Sequence, residues 1–433
     1  MSALLERGLE TDPGLQRIRS FVKPDGTLFA FHFPHHAALG EDGALQPTTL
    51  VSEHLSHIGG DPETIAQVFS RDGRIIFVNK ADFDINERSL EELGIFIEET
   101  VRIPMGLIDH AIRGQNGKSI NKHGMSHAIS VANKGALLEE QVGTPLWQRR
   151  AGTIAKRLHD IGNIGGRDPH PYYGRLIWRF FYPNLRMTEQ QEDIINTSIM
   201  RHDGDGLIGW LIAQGEQTFP DALRTMREEL GDPGLATVIG DKGDIGIDRL
   251  PEENTAEDLE DPHRIVNLYA ETSVLQYTED LETFYMQIDF GKSLSEQQLR
   301  MLPHFVVRRE DGEIVRKVPR VLQNGVEEFG SSDFHEWEKV FLGTYYPRIA
   351  LIVMGALALG DDVTKHVQIV ITDKSTGSGM ERVSGMRFDR DPQSHYYAPK
   401  NLYRIWQNLP PSLRNKRDYR YFAHLAETEA SVI

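Results

Sequence analysis

The chain has 433 residues, which predicts two or three domains because single hydrophobic cores stop growing at roughly 250–300 residues. Its formal net charge of −17 argues against broad binding to nucleic acids or anionic membranes, since surfaces that bind them are usually basic. The absence of cysteine excludes a disulfide framework, a thiolate metal site and a cysteine nucleophile.

The sequence favours a cytoplasmic protein with no membrane partner. No apolar run approaches the roughly 18 residues of a membrane span, and the best candidate, 349–359 (IALIVMGALAL), fits a buried helix better. The N-terminus contains acidic residues and lacks the basic and then apolar segments of a signal peptide. We expect a small-molecule partner, and the sequence leaves open whether the chain forms a homo-oligomer.

Residues 1–95 predict a small α/β or α+β module. Turn signals precede two apolar runs, 27–33 (TLFAFHF) and 74–78 (RIIFV), and this arrangement is typical of strands. Between them, the pattern of 62–69 is closer to that of a helix. The first segment is therefore predicted to contain two strands and one helix.

Residues 96–290 predict a helical domain, and the helical pattern extends from Ser89 to about residue 285. Ser89 with Glu92 forms a capping-box signature, and Pro104 is predicted to interrupt the helix that follows. Apolar residues at helical spacing then mark four further helices. These are predicted at 127–138, at 150–160, from Thr188 with Gln191 at its box position, and near 235–240.

Residues 291–433 predict a C-terminal α+β domain. Strands are expected at 305–307, 313–318, 367–372 and 380–383, and a helix at 346–360. The glycine-containing run 374–379 (KSTGSG) lacks the residue order of a phosphate-binding loop, so we interpret it as a hairpin turn. The predicted fold class of the whole chain is mainly α, with α/β or α+β segments on either side of the helical domain.

The central feature is the stretch 156–166 (KRLHDIGNIGG), where a His and an Asp stand next to each other at a predicted helix end. Adjacent helical side chains point about 100° apart, so His159 and Asp160 can converge on one ion only near a helix terminus. Taken one at a time, such residues are more often caps or satisfied polar groups. Together, the inward positions in this domain form a candidate set of metal ligands: His127, His159, Asp160, His170, His202 and Asp241.

Five ordered motifs carry a resemblance to a known family. They are HAISVA from residue 127, LHDIGNIGG from 158, HPYYGRLI from 170, SIMRHDGD from 198 and VIGDKGD from 238. In this order they resemble the HD-domain superfamily of metal-dependent phosphohydrolases. The second motif is close to the LHDIGKIG form of HD-GYP phosphodiesterases, and the fourth is similar to a segment of ribonuclease Y. The resemblance covers roughly residues 100 to 270.

The resemblance implies a ligand set and a reaction. His127, His159, Asp160 and Asp241 would hold one metal ion; in two-metal members of the family Asp160 bridges, and His170 and His202 bind the second ion. A metal-activated hydroxide would then hydrolyse a phosphomonoester or phosphodiester, such as a nucleotide, with Asp160 and Lys242 as catalytic residues. Lys242 and Arg249, just beyond the last ligand, are expected to contact the phosphate, although both could equally be surface charges. The residue types suit one or two divalent ions of Mn, Fe, Ni, Mg or Zn.

Three departures from the family pattern leave the reaction open. Asn163 stands where a lysine usually follows HDIG, Asp203 replaces a second histidine, and no ED pair follows the HD pair, which disfavours hydrolysis of guanosine tetraphosphate. His123 lies four residues before His127 and could chelate with it, but His127 has the register that the motif requires. An HD-fold di-iron oxygenase uses the same six ligand types, and a degenerate HD module acting as a ligand sensor or scaffold is the non-enzymatic alternative.

Overall fold

The structure is a computed structural model in which two compact units are distinguished. Residues 1–132 with 145–200 form the first unit, and residues 133–144 with 201–433 form the second. The predicted division into 1–95, 96–290 and 291–433 stays a prediction. The structure describes residues 37–39, 45–47, 65–69, 75–79, 84–111, 123–164, 170–181, 185–215, 217–246, 249, 266–267, 270–290, 304–308, 314–319, 336–373, 382–409 and 411–432.

In the described part of the first unit, two antiparallel strand pairs precede a series of helices. Its strands are β1 Ala37–Leu39, β2 Leu45–Pro47, β3 Ile65–Phe69 and β4 Ile75–Asn79, where β1 pairs with β2 and β3 with β4. Its helices are α1 Leu90–Ala111, α2 Met125–Gln141, α3 Leu146–Leu158, α4 His170–Phe181 and α5 Glu189–Arg201, with 3-10 turns at Ile85–Glu87 and Ile161–Ile164. Helix α2 begins in the first unit and ends in the second.

The predicted strand at 74–78 is confirmed as β4, but the helix predicted at 62–69 is wrong. Residues Ile65–Phe69 form β3, which pairs along its whole length with β4, from Ile65 opposite Asn79 to Phe69 opposite Ile75. A segment this short is a marginal helix in isolation. Pairing with β4 instead supplies its backbone hydrogen bonds. The strand predicted at 27–33 lies outside the described residues.

Helix α1 starts as predicted but does not end at Pro104. The capping box is present: the backbone N–H of Glu92 donates to Ser89 Oγ at 3.1 Å, and the backbone N–H of Ser89 donates to Glu92 Oε2 at 3.0 Å. The helix then continues through Pro104 to Ala111. Buried Val101 and Met105 lie on both sides of the proline, so packing of this face offsets the backbone hydrogen bond that proline cannot make.

The other helix predictions in the first unit are confirmed with small shifts in their ends. Helix α3 is apolar toward the core, where Ala151, Ile154 and Leu158 are fully buried. Helix α5 follows a second capping box, in which the backbone N–H of Gln191 donates to Thr188 Oγ1 and the backbone N–H of Thr188 donates to Gln191 Oε1. The two residues of each capping box lie within one turn of each other, so the local sequence is enough to predict where these helices start.

The second unit contains a mixed four-stranded sheet. Its strands are β5 Ala270–Tyr277, β6 Thr283–Phe290, β9 His366–Asp373 and β10 Arg382–Asp389, in the order β10-β9-β6-β5. Only β6 and β9 are parallel. The prediction that the helical pattern continues to about residue 285 is therefore wrong, since residues 270–290 form a hairpin. The pairing of β9 with β10 is consistent with the hairpin turn predicted at 374–379, although that turn itself lies outside the described residues.

A long apolar helix, α8 Glu336–Leu359, shares one hydrophobic core with the inner face of this sheet. An antiparallel pair of strands, β7 His304–Arg308 and β8 Ile314–Pro319, precedes this helix in the chain. Every residue of 349–359 is buried, which confirms the buried helix predicted there. Alternate sheet residues such as Leu275, Met286 and Ile369 join the same core. Among the described helices, none is both long enough and apolar enough to span a bilayer.

The described part of the second unit has five further helices, and one of them carries the predicted site residues Asp241 and Lys242. These helices are α6 Gly204–Ala213, α7 Phe219–Lys242, α9 Ala398–Gln407, α10 Pro411–Arg414 and α11 Arg417–Val432. Helix α7 is kinked at Gly231, whose φ of 58° lies in the left-handed region that favours glycine, two residues before Pro233. The helix predicted near 235–240 is the buried second half of α7.

The C-terminus of α8 offers a stability test. Arg227 Nη1 donates to the carbonyl oxygens of Ala358 at 2.6 Å and Leu359 at 2.9 Å. Because both carbonyls end a buried helix, Arg227→Met is expected to lower the free energy of unfolding by about 1–3 kcal/mol, measured by urea titration. Arg224→Met, one turn earlier and paired at the surface with Asp221, is the control and should change it by less than about 0.5 kcal/mol. Equal effects of the two changes would contradict this capping role.

Candidate metal centre

The adjacent His159 and Asp160 lie where α3 changes into a 3-10 turn. His159 is the C-cap of α3, and the turn Ile161–Ile164 follows at once. The backbone N–H of Asn163 donates to the carbonyl of Asp160 at 2.9 Å, which closes the turn. His159 is fully buried and Asp160 is 2% exposed. As the sequence predicts, the change of backbone geometry at the helix end lets two neighbouring side chains point to the same place.

Gly162 allows this turn to press against the first turn of α4. A Cβ atom at position 162 would lie 1.8 Å from the carbonyl oxygen of His170 and 2.4 Å from the backbone nitrogen of Gly174. No side chain fits at these distances, so the close approach requires glycine. This contact brings His170, the first residue of α4, next to Asp160: His170 Nε2 lies 3.3 Å from Asp160 Oδ1.

Three donor atoms of the first unit form a nearly equilateral triangle. His127 Nε2 lies 3.1 Å from His159 Nε2, and Asp160 Oδ2 lies 3.3 Å from each of them. Two nitrogen ligands bound at about 2.0–2.1 Å to one ion are separated by roughly 3.0–3.4 Å, depending on the coordination geometry. The spacing of the three atoms therefore matches that of ligands sharing one metal ion.

The hydrogen bonding of His159 directs a lone pair into this triangle. Its Nδ1 lies 2.8 Å from the carbonyl oxygen of Lys156, which can only accept, so Nδ1 carries the hydrogen. In the neutral imidazole Nε2 then carries the lone pair, and that atom faces His127 and Asp160. Metal-binding histidines commonly have this arrangement, in which a backbone carbonyl fixes the tautomer.

Asp160 is the common partner of the whole cluster. Besides the contacts above, its Oδ2 accepts from His123 Nδ1 at 2.8 Å and its Oδ1 accepts from Asn163 Nδ2 at 2.9 Å. Burial by itself raises the pKa of this carboxyl group, but the neighbouring His159 and His123 and hydrogen bonds from His123 and His127 outweigh it. The pKa of Asp160 is consequently held well below its usual range, and the group is a carboxylate.

Two predicted ligands lie in the second unit. His202 follows α5 and is 1% exposed, and Asp241 lies in the last turn of α7 and is 5% exposed. Lys242 Nζ donates to Asp241 Oδ2 at 2.6 Å and lies 3.8 Å from Asp203 Oδ1. The role of His202 and Asp241 as ligands, and that of Lys242 in catalysis, stay predictions.

The second predicted phosphate contact, Arg249, is also engaged with a carboxylate. Its Nη1 donates to Asp244 Oδ2 at 3.3 Å, and Lys134 Nζ donates to the other oxygen of Asp244 at 2.5 Å. Arg249 is only 3% exposed, so it is not one of the surface charges that the sequence left as the alternative. Its contact with a substrate phosphate stays a prediction.

His123 lies outside the predicted ligand set but beside its central carboxylate. The sequence predicts His123 and His127 as a helical i,i+4 pair, but α2 starts at Met125, two residues after His123. The structure brings both rings against Asp160 Oδ2, and His123, His127 and Asp160 form one buried group with the spacing of metal ligands. The closeness of the two histidines in the sequence is the signal that points to His123, but the helical geometry assumed for the pair is not the one that the structure has.

The comparisons with known proteins do not identify a family, since no family model, no curated protein and no solved structure matches this chain. The described residues include buried groups of imidazole nitrogens and carboxylate oxygens that could hold a metal ion.

Proposed function

We propose that the chain is a metal-dependent phosphohydrolase of the HD type that acts on a nucleotide or another phosphate ester. The observation that carries the proposal is the triangle of His127 Nε2, His159 Nε2 and Asp160 Oδ2, with sides of 3.1–3.3 Å. In the sequence, a His precedes an adjacent His-Asp pair by about thirty residues, and this motif order resembles that of HD phosphohydrolases. The resemblance is the reason for proposing phosphate hydrolysis as the reaction.

The residues of the first unit would hold the ion in a fixed position. His127 and His159 offer neutral nitrogen donors, and the carboxylate of Asp160 offsets part of the positive charge. A divalent ion bound there would supply Lewis acidity and lower the pKa of a water molecule into the neutral range. His170 faces the other oxygen of Asp160 at 3.3 Å, which supports the proposal that Asp160 bridges two ions.

The proposed phosphate contacts are Lys242 and Arg249. Each is buried and paired with a carboxylate of its own unit, Asp241 and Asp244 respectively. Positively charged groups held in fixed positions stabilise the charge that develops on phosphoryl oxygens during transfer. Their pairing with buried carboxylates would keep both side chains in place before a substrate arrives.

The proposal is tested by activity screening of the full-length protein after metal removal. We expect the chelated protein to be inactive, and added Mn, Fe, Ni, Mg or Zn to restore phosphate release from at least one nucleotide, cyclic nucleotide or simple phosphomonoester. Phosphate release and product formation would be followed by colorimetric assay and chromatography.

Two outcomes of this screen would overturn the proposal. Oxygen consumption by the iron-loaded protein, with no phosphate released from any compound, would replace it with oxygenase chemistry. Failure of the purified protein to retain any divalent metal would favour a degenerate module that serves as a sensor or scaffold.

A further inference from the structure

Each carboxylate oxygen of Asp160 has one buried donor that the predicted ligand set does not include. His123 Nδ1 donates to Oδ2 at 2.8 Å, and Asn163 Nδ2 donates to Oδ1 at 2.9 Å. His123 is 6% exposed and Asn163 is fully buried, so water does not easily replace either bond. Asn163 Nδ2 also lies 3.0 Å from the backbone carbonyl of Asp160, which ties the amide to the same turn.

These two bonds fix the rotation of the carboxylate. The last torsion of an aspartate side chain has a broad energy minimum, so the group turns easily when only one oxygen is held. A carboxylate offers about four lone-pair sites, two on each oxygen. With a donor on each oxygen, Oδ2 is kept on the side of His127 and His159, 3.3 Å from each Nε2, and Oδ1 is kept on the side of His170, 3.3 Å from its Nε2.

His123 differs from the predicted ligands in the ring atom that it presents and in its distance from the carboxylate. Its Nδ1 lies 2.8 Å from Asp160 Oδ2, whereas His127 and His159 present Nε2 at 3.3 Å. Because a carboxylate can only accept, His123 Nδ1 donates the hydrogen of the 2.8 Å bond. His159 has the opposite arrangement, because its Nδ1 hydrogen points to a backbone carbonyl and its Nε2 faces the cluster. The two histidines therefore have different roles: His123 donates a hydrogen bond to Asp160 through Nδ1, and His159 presents Nε2 to the cluster.

Asn163 is neutral, and this matters at a site for cations. Its amide donates a hydrogen bond to Oδ1 without bringing a positive charge that would compete with a divalent ion for the carboxylate. It can thus orient Oδ1 while the full negative charge of Asp160 remains available.

We propose that His123 and Asn163 are positioning residues that hold Asp160 as a bridging carboxylate, with one oxygen directed to the side of His127 and His159 and the other to the side of His170. This inference rests on the metal site of the proposed function and adds two residues that act through Asp160 instead of binding an ion.

The test measures metal affinity of the full-length protein, with Mn²⁺ and Co²⁺ as probes. Variants Asn163→Ala, His123→Ala and His123→Asn are compared with Gln191→Ala, a buried amide in the same unit that bonds to Asn86 and the Trp147 carbonyl. Free Mn²⁺ is counted by electron paramagnetic resonance. Bound Co²⁺ is followed by its visible spectrum, which has no thiolate contribution because the chain has no cysteine.

Asn163→Ala and His123→Ala are each expected to weaken Mn²⁺ binding by about 10–100-fold, the usual cost of losing an outer partner of a metal ligand. His123→Asn keeps a donor near the position of Nδ1 and should restore most of the affinity, with an unchanged Co²⁺ spectrum. Gln191→Ala should lower the melting temperature and leave the affinity as in the wild type. If alanine at 163 prevents folding, the pair of His123 variants still decides the role of that histidine.

Each contrary result has a distinct meaning. Wild-type affinity in both alanine variants would overturn the positioning role while leaving the metal site in place. A His123→Asn variant as weak as His123→Ala, with an altered Co²⁺ spectrum, would make His123 a ligand. A wild-type protein that binds neither probe would overturn the proposed function together with this inference.

Discussion

Asp160→Ala is expected to abolish tight binding of divalent metal, weakening Mn²⁺ affinity by more than about 100-fold, since even an outer partner of a ligand contributes 10–100-fold. The reason is that the carboxylate is shared: its Oδ2 completes the triangle with His127 and His159, and its Oδ1 faces His170 at 3.3 Å. Among the described residues of the first unit, Asp160 supplies the carboxylate of this group. Any phosphatase activity found by screening should be lost with the metal.

The measurement is Mn²⁺ titration of full-length variants, with metal content after purification as a second readout. Asp160→Asn keeps the shape of the side chain and removes its charge, so it separates loss of the ligand from loss of packing. Asp193→Ala, at an exposed position of α5, is the matched control and should bind metal as the wild type does. Retention of wild-type metal content by both Asp160 variants would exclude a site at the triangle.

Gly162→Ala is expected to destabilise the first unit by about 3 kcal/mol or more, at the upper end of the cost of overpacking a tight site. The added methyl group would meet the carbonyl oxygen of His170 at 1.8 Å and the backbone nitrogen of Gly174 at 2.4 Å. Because both contacts are with backbone, no side chain can rotate away, and α4 must shift. His170 would move with it, so metal affinity should fall as well.

Urea unfolding followed by circular dichroism measures this change. Gly246→Ala is the control, since a Cβ atom there meets nothing within 4 Å and its φ is not in the left-handed region. We expect that control to lie within about 1 kcal/mol of the wild type. Equal stability of Gly162→Ala and the wild type would mean that the turn and α4 are not pressed together as described.

Local signals in the sequence predicted a large part of the first unit. The capping boxes at Ser89 and Thr188 give helix starts within one residue, because the residues that form them contact each other within a single turn. The end of α3 at the His-Asp pair is also local, as the glycine-containing turn follows directly. The described residues are mainly helical, as the sequence predicts.

The wrong predictions share a physical cause. Residues Ile65–Phe69 and the two strands within 270–290 are extended because each pairs with the neighbouring strand of a hairpin, and the spacing of apolar residues within one segment does not show that pairing. Pro104 stays inside α1 because its helix packs against a core on both sides of the proline. Tertiary contacts therefore override local propensity in each case.

By itself the sequence determined which residue types are available for a metal, namely histidines and carboxylates without cysteine, and it placed His159 and Asp160 side by side at a helix end. Only the tertiary structure decided that His127 Nε2, from a different helix, lies 3.1 Å from His159 Nε2, and that His123 and Asn163 hold the two oxygens of Asp160. The physical reason is that adjacency along the chain is fixed by covalent geometry. Distances between atoms on separate elements depend on packing, such as the backbone contact that Gly162 permits, and no local pattern encodes them.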